Sequence, residues 1–89
     1  MSTVKLLING KVQGVFYCAT ARQIANRIGI TGWIKNTRDG NVEATVSGTE
    51  EQLQKFISWC KKGSEKAVVD EVIIIKKEET SFDEFVVAR

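Results

Sequence analysis

The sequence contains no histidine and no proline, and it has only two cysteines, Cys18 and Cys60, in 89 residues. A structural zinc site needs about four cysteine or histidine ligands. Small secreted domains held by disulfides need several cysteine pairs. Both classes are excluded, so we expect reduced thiols and no metal site.

The sequence also lacks a long hydrophobic run and a strong excess of either charge. No apolar segment approaches the roughly 18 residues of a membrane span, and the first residues do not have the layout of a signal peptide. The net charge is only +2, and no aromatic residues lie among the late lysines to stack on bases. We therefore expect a cytoplasmic protein that binds neither membranes nor nucleic acid.

Hydrophobic periodicity predicts the order strand, helix, strand, strand, helix, strand, followed by a short last strand. The first helix is predicted from about Cys18 to Ile28, with Thr20 and Gln23 spaced like a capping box, and the second follows the capping box Thr49–Gln52. The strands are predicted over residues 4–11, 31–37, 42–47, 67–77 and 82–88.

Two helices on one face of an antiparallel sheet would bury the apolar side chains of these elements economically. The predicted class is therefore α+β, a ferredoxin-like α/β sandwich with an antiparallel sheet of four to five strands and one domain over residues 1–89. This fold hosts unrelated functions, so it does not identify one.

The segment Gly10–Cys18 joins the first strand to the first helix and is the first candidate site. Gly10 and Gly14 tolerate backbone conformations that turn amide N–H groups inward. The helix N-terminus adds unpaired N–H groups and partial positive charge. This combination predicts a site for a small, phosphate-sized anion.

Two segments of the chain resemble the signature segments of the acylphosphatase family. They are Gly10-x-Val12-Gln13-Gly14-Val15-x-Tyr17 and Gly32-Trp33-Ile34-Lys35-Asn36-x-x-x-Gly40-x-Val42, followed by Gly48. The resemblance covers essentially the whole chain. It implies a small enzyme that hydrolyses the carboxyl-phosphate bond of acyl phosphates without a metal or other cofactor, and we expect it to be a monomer.

The resemblance also implies roles for individual residues. The loop amides would hold the phosphoryl oxygens, and Asn36 would orient the attacking water. Taken alone, without the resemblance, Asn36 before a turn is more simply interpreted as a cap for backbone groups. The expected phosphate-binding residues are Gln13, Gly14, Val15, Phe16, Tyr17 and Cys18, and the catalytic positions are Cys18 and Asn36.

Cys18 departs from the family pattern, which has an arginine at this position. A guanidinium offers a fork of donors and a permanent positive charge, whereas a thiol offers one weak donor. We therefore predict weak or absent turnover with phosphate binding retained. The alternatives are a non-catalytic phosphate or acyl-phosphate binding pseudoenzyme and, less favoured, an RNA-binding module with the same order of elements.

Two further interpretations concern the start of the first helix. Arg22 lies one turn after Cys18, so its long side chain could replace the missing cation, although a surface arginine is the simpler interpretation. Cys18 could instead be a nucleophile of low pKa at a helix N-terminus. Its spacing to Arg22 and the lack of histidine do not fit a cysteine phosphatase.

Overall fold

Five strands and two helices make up the computed structural model, which describes residues 1–88. The domain predicted from the sequence ends at Arg89, which lies outside the described residues. No helix in this part of the chain is long and apolar enough to cross a membrane. The strands are β1 (Ser2–Lys11), β2 (Thr31–Asn36), β3 (Val42–Gly48), β4 (Val68–Lys77) and β5 (Phe85–Val87), and the helices are α1 (Tyr17–Ile28) and α2 (Glu50–Lys62).

The strands form one sheet in the order β4-β1-β3-β2-β5. β1 pairs antiparallel with β3 and β4, and β2 pairs antiparallel with β3. The predicted ferredoxin-like α+β fold is confirmed, but the sheet is mixed, because β5 pairs parallel with β2. The direction follows from the topology: the chain reverses after β4, so β5 runs in the direction of β1 and β2.

A single hydrophobic core lies between the sheet and the helices. Along β1, alternate side chains point into it, including Leu6 and Ile8. Phe56 of α2 meets Phe85 at 5.8 Å between ring centroids, which packs the short β5 against a helix. The buried helix residues are Tyr17, Ala21, Ala25, Leu53, Phe56 and Cys60.

The second helix starts at the predicted capping box. The Thr49 side chain accepts a hydrogen bond from the backbone N–H of Gln52 at 3.2 Å, and the Gln52 side chain accepts one from the N–H of Thr49 at 2.9 Å. Each side chain thereby satisfies an N–H group that the helix leaves unpaired. This sequence pattern was sufficient to locate the start of α2.

The first helix starts differently from the prediction. Its N-cap is Phe16, and no side chain caps it. The capping box predicted at Thr20 and Gln23 is wrong, because both residues lie inside the helix and the N–H of Thr20 already donates to the carbonyl of Phe16 at 3.0 Å. The uncapped end of α1 faces the loop that the sequence singled out.

Candidate functional site

The loop between β1 and α1 turns through two left-handed backbone conformations, at Gly14 (φ 71°) and Phe16 (φ 59°). Phe16 is the one non-glycine residue with positive φ among residues 1–88. A Cβ at position 14 would meet nothing within 4 Å. Glycine is therefore needed there for the left-handed backbone conformation and not because a side chain would clash. These two kinks direct the chain from the strand into the helix over a few residues.

Gly10 has a different role from the one the sequence suggested. It lies inside β1, next to a bulge in the pairing with β4, and does not belong to the loop. A Cβ at Gly10 would clash with the backbone carbonyl of Val68. This glycine therefore permits close approach of two strands, and Gly14 is the glycine that shapes the loop.

The backbone N–H groups at the start of α1 are free to bind a ligand. Helices leave their first N–H groups without intrahelical acceptors. Within residues 1–88, the amides of residues 13–19 donate to no carbonyl or side chain, and the first bond of this end is the one from Thr20 to Phe16. Clustered donors at the positive end of a helix dipole are suited to an anion.

The Gln13 side chain ties the loop to the turn between β2 and β3. Its Nε2 donates to the carbonyls of Thr37 at 2.7 Å and Asn41 at 2.8 Å. The Asn41 side chain in turn accepts from the N–H of Gly10 at 3.3 Å. The side chain of Gln13 is thus engaged in holding the loop, and its backbone amide is the group available to a ligand.

The back of the loop is fixed by two further hydrogen bonds. Ser64 Oγ donates to the carbonyl of Val15 at 2.8 Å. The buried Tyr17 hydroxyl donates to the carbonyl of Cys60 at 2.8 Å. The Phe16 side chain, by contrast, is 81% exposed. Val15, Phe16 and Tyr17 can therefore contribute to an anion site only through their backbone amides.

The structure brings the two predicted catalytic positions together. Cys18 Sγ, at the start of α1, donates to the side-chain oxygen of Asn36, at the end of β2, at 3.5 Å. The Asn36 side chain makes no hydrogen bond to the backbone within residues 1–88, so the geometry does not support a capping role. Asn36 is exposed, and its amide group faces the loop across this contact.

Partial burial raises the pKa of the Cys18 thiol above its ordinary value. Near neutral pH the residue is therefore a neutral thiol, which carries neither the positive charge of an arginine nor the negative charge of a thiolate. This opposes the interpretation of Cys18 as a nucleophile of low pKa.

The two arginines nearest in sequence to the predicted site residues lie in different depressions. Arg22 is exposed on α1 and lines a separate depression with Asn26 and Val87. Arg38 lines the same depression as Asn36 and Lys35. Sequence reasoning overlooked Arg38, although its position two residues after Asn36 in a predicted turn was a usable signal.

No metal-binding cluster accompanies these residues. Within the part of the chain that the structure describes, no three histidine, cysteine or acidic side chains are grouped to hold a metal ion. Cys18 and Cys60 are both free thiols. The hydrogen-bonding groups of the candidate site are the backbone amides of the loop, the Cys18 thiol and the Asn36 side chain, with Arg38 nearby.

Known proteins resemble this chain over a range that includes both the loop after β1 and Asn36. The protein-family model described as Acylphosphatase matches residues 4–87. An acylphosphatase of Marinobacter nauticus is 51% identical over 67 residues, which are 75% of this chain and 73% of that protein. One of Thiobacillus denitrificans is 41% identical over 78 residues, 88% of each chain. The crystal structure of acylphosphatase from Bacillus subtilis matches with a TM-score of 0.96 at 28% identity and covers 100% of both chains.

Proposed function

Because this chain belongs to the acylphosphatase family, we propose that it hydrolyses the carboxyl-phosphate bond of small acyl phosphates in the cytoplasm, at a low rate and without a cofactor. One observation carries the proposal: the amides of residues 13–19 are unpaired within residues 1–88, and the side chain of one of these residues, Cys18, contacts Asn36. The amides supply donors for a phosphoryl group, and Asn36 supplies an acceptor for water.

In the proposed reaction, the amides at the start of α1 bind the non-bridging phosphoryl oxygens and stabilise the charge on them. Asn36 accepts a hydrogen bond from a water molecule, whose oxygen forms the new bond to phosphorus. The thiol of Cys18 occupies this acceptor in the free protein, but it is a weak donor that water can replace.

The leaving group explains why this chemistry can proceed without histidine. The bond from phosphorus to the acyl oxygen breaks, and its electron pair leaves with a carboxylate. A carboxylic acid has a pKa of about 4, so the carboxylate departs unprotonated near neutral pH and needs no general acid. The proton of the attacking water passes to the phosphate product or to solvent.

Cys18 limits the rate in this proposal. Charged arginines that face a transferring phosphoryl group are worth roughly 10³ to 10⁵ in rate, and a single preorganised donor roughly 10² to 10³. Arg38 shares a depression with Asn36 and is better placed than Arg22, but it is exposed and does not come from the loop itself. Binding of phosphate is therefore retained more fully than catalysis.

Hydrolysis of a simple acyl phosphate by the wild type and by Cys18→Arg tests the proposal, with inhibition by inorganic phosphate measured for each. We expect the arginine to raise kcat/KM by about 10² to 10⁵. Cys18→Ser is the matched control, since it keeps the size and removes the thiol without adding charge. Rapid turnover by the wild type and no gain from arginine would contradict this account of the loop.

The second candidate is a binding protein for phosphate or acyl phosphate that does not turn its ligand over. The same open amides favour it, together with the neutral thiol at position 18. Phosphate binding by both the wild type and Cys18→Arg, with no hydrolysis by either, would support this candidate over the enzyme.

A further inference from the structure

The side chain of Ser64, which follows α2, holds the peptide group between Val15 and Phe16 in the loop. Ser64 Oγ donates to the Val15 carbonyl at 2.8 Å from a partly buried position. The N–H of the same peptide group belongs to Phe16 and is one of the unpaired amides of the candidate site. We propose that Ser64 is a positioning residue, which keeps this peptide group in the orientation that binds the anion. The inference rests on the proposed use of the loop amides for a phosphoryl group.

The orientation of this peptide group decides which of its two polar atoms meets a ligand. A trans peptide is planar, so its carbonyl and its N–H point in opposite directions, and no cis peptide bond occurs within residues 1–88. Because Ser64 holds the Val15 carbonyl on its own side, the N–H of Phe16 points away from Ser64. Rotation of the peptide by half a turn would exchange the two atoms. The ligand would then meet a carbonyl oxygen, which cannot donate to a phosphate oxygen.

The backbone of Phe16 favours this unproductive rotation. Its φ of 59° lies in the left-handed region, which is unfavourable for a residue with a Cβ. Rotation of the peptide would bring φ to roughly −120°, on the negative side that such residues prefer. The penalty corresponds to a roughly tenfold preference for the rotated peptide. The ring is 81% exposed, so its packing does little to hold the strained conformation. The hydrogen bond from Ser64 therefore opposes a rotation that the backbone favours.

Ser64 is itself held by the turn that ends α2. Gly63, the C-cap of this helix, donates its N–H to the carbonyl of Trp59 at 2.7 Å. The carbonyl of Ser64 accepts from the N–H of Ala67 at 3.0 Å. Gly63 has a positive φ of 78°, and a Cβ there would lie 3.2 Å from the ring of Tyr17. This turn thus packs closely behind the loop and fixes the distance from the Ser64 hydroxyl to the Val15 carbonyl.

Binding of inorganic phosphate, measured by isothermal titration calorimetry, tests the inference in Ser64→Ala, Phe16→Gly and the double variant. We expect Ser64→Ala to weaken phosphate binding by about tenfold, because the rotated peptide then dominates. Glycine adopts positive φ about as readily as negative φ. The double variant should therefore bind phosphate within about threefold of Phe16→Gly alone. A serine that served stability alone would not produce this recovery.

Two further variants are the matched controls. Ser64→Thr keeps the hydroxyl and should bind phosphate as the wild type does. Ser58→Ala makes the same serine-to-alanine change on the exposed face of α2, where Ser58 makes no side-chain hydrogen bond within residues 1–88. It should leave phosphate affinity unchanged. Urea denaturation should confirm that every variant is folded at the temperature of the titration.

The amide signal of Phe16 gives a direct readout of the peptide orientation. Labelling with ¹⁵N-phenylalanine produces four backbone amide signals, and Phe16→Gly assigns one of them by removing it. Phosphate should shift this signal in the wild type and shift it less in Ser64→Ala.

Equal phosphate affinities of the wild type and Ser64→Ala, or a loss that Phe16→Gly does not recover, would overturn the role of Ser64 and leave the anion site intact. A wild type that binds no phosphate would instead show that the anion site is wrong, and with it both the proposed function and this inference.

Discussion

The thiol of Cys18 lies 3.5 Å from the side-chain oxygen of Asn36, although 18 positions separate them in the chain. The contact joins the N-terminus of α1 to the end of β2. In the proposed reaction these two positions act on the same phosphoryl group and its attacking water. Changes at one of them should therefore depend on which residue occupies the other.

Asn36→Ala tests this dependence when it is made in both the wild type and the Cys18→Arg protein. Removing a positioned polar group of a catalytic site costs about 10² to 10³ in kcat, and we expect that loss in the arginine form. The wild type should lose less, because its transition state is already poorly stabilised. Acyl phosphate hydrolysis measures both values.

Asn26→Ala, on the exposed face of α1, is the matched control for this experiment. It should leave kcat and phosphate inhibition unchanged. A fall in phosphate affinity as large as the fall in kcat for Asn36→Ala would show that Asn36 binds the ligand and does not orient water.

Gln13→Ala should destabilise the protein and weaken phosphate binding together. The substitution removes two hydrogen bonds and leaves the carbonyls of Thr37 and Asn41 without that donor. Each carbonyl keeps a backbone donor, so each lost hydrogen bond should cost about 0.5 to 1.5 kcal/mol of unfolding free energy. Urea denaturation and phosphate inhibition measure the two effects.

Gln23→Ala is the control for Gln13→Ala, since Gln23 is exposed and makes no side-chain hydrogen bond within residues 1–88. If Gln13→Ala lowered stability but left phosphate affinity intact, the tie to the β2–β3 turn would matter for folding alone.

The difference between the two helix starts shows what the sequence could and could not predict. At Thr49 and Gln52 the capping residues are neighbours in the chain, so a local pattern located the helix end. The first helix begins after Phe16, which has a left-handed backbone and no capping side chain. The sequence instead offered the capping-box spacing of Thr20 and Gln23, which lies inside the helix. The free amides of the site follow from this unusual start.

Long-range features of the fold and site were predictable only in part. The resemblance placed Asn36 near the loop, but the tie between Gln13 and the turn needs a distance that the sequence does not contain. The parallel direction of β5 likewise depends on which sheet edge the chain reaches after β4. The exposure of Ile74 also depends on the topology, which places β4 at an edge. The sequence alone could not predict this exposure, because an apolar run has the same pattern in a central strand and at an edge.

Phe16→Gly should stabilise the protein. A left-handed conformation costs a non-glycine residue about 1 to 2 kcal/mol, and glycine gives back about 0.5 to 1 kcal/mol through the entropy of the unfolded chain. With the ring 81% exposed, little packing is lost. We expect a net gain of about 0.5 to 1 kcal/mol in urea denaturation.

Phe16→Ala separates backbone strain from loss of the ring. Alanine removes the ring but keeps the Cβ and therefore the strain, so its stability should stay close to that of the wild type. If alanine and glycine raised stability equally, exposure of the aromatic ring would be the cause. Phosphate binding should survive in both variants, because residue 16 offers only its backbone amide.

The paired burial of Tyr17 and Cys60 predicts loss of stability at alkaline pH. The Tyr17 hydroxyl donates to the carbonyl of Cys60. Burial raises the pKa of the Cys60 thiol from 9.0 to about 12, and burial also raises the pKa of Tyr17 above its ordinary 10.0. In the unfolded chain both groups ionise at their ordinary values, while the folded protein keeps them protonated.

The sign of the effect follows from proton binding. Between about pH 9 and pH 12 the folded state holds more protons than the unfolded state, so a rise in pH favours unfolding. Stability is full below about pH 9 and falls above it, by about 2 kcal/mol for Cys60 alone on reaching about pH 10.5. Urea denaturation at several pH values measures the slope.

Cys60→Ala should lower stability near neutral pH through lost packing but flatten the alkaline slope. Cys18→Ala, at the half-buried thiol, should flatten it less, and equal flattening by the two would show that burial of Cys60 is not the cause.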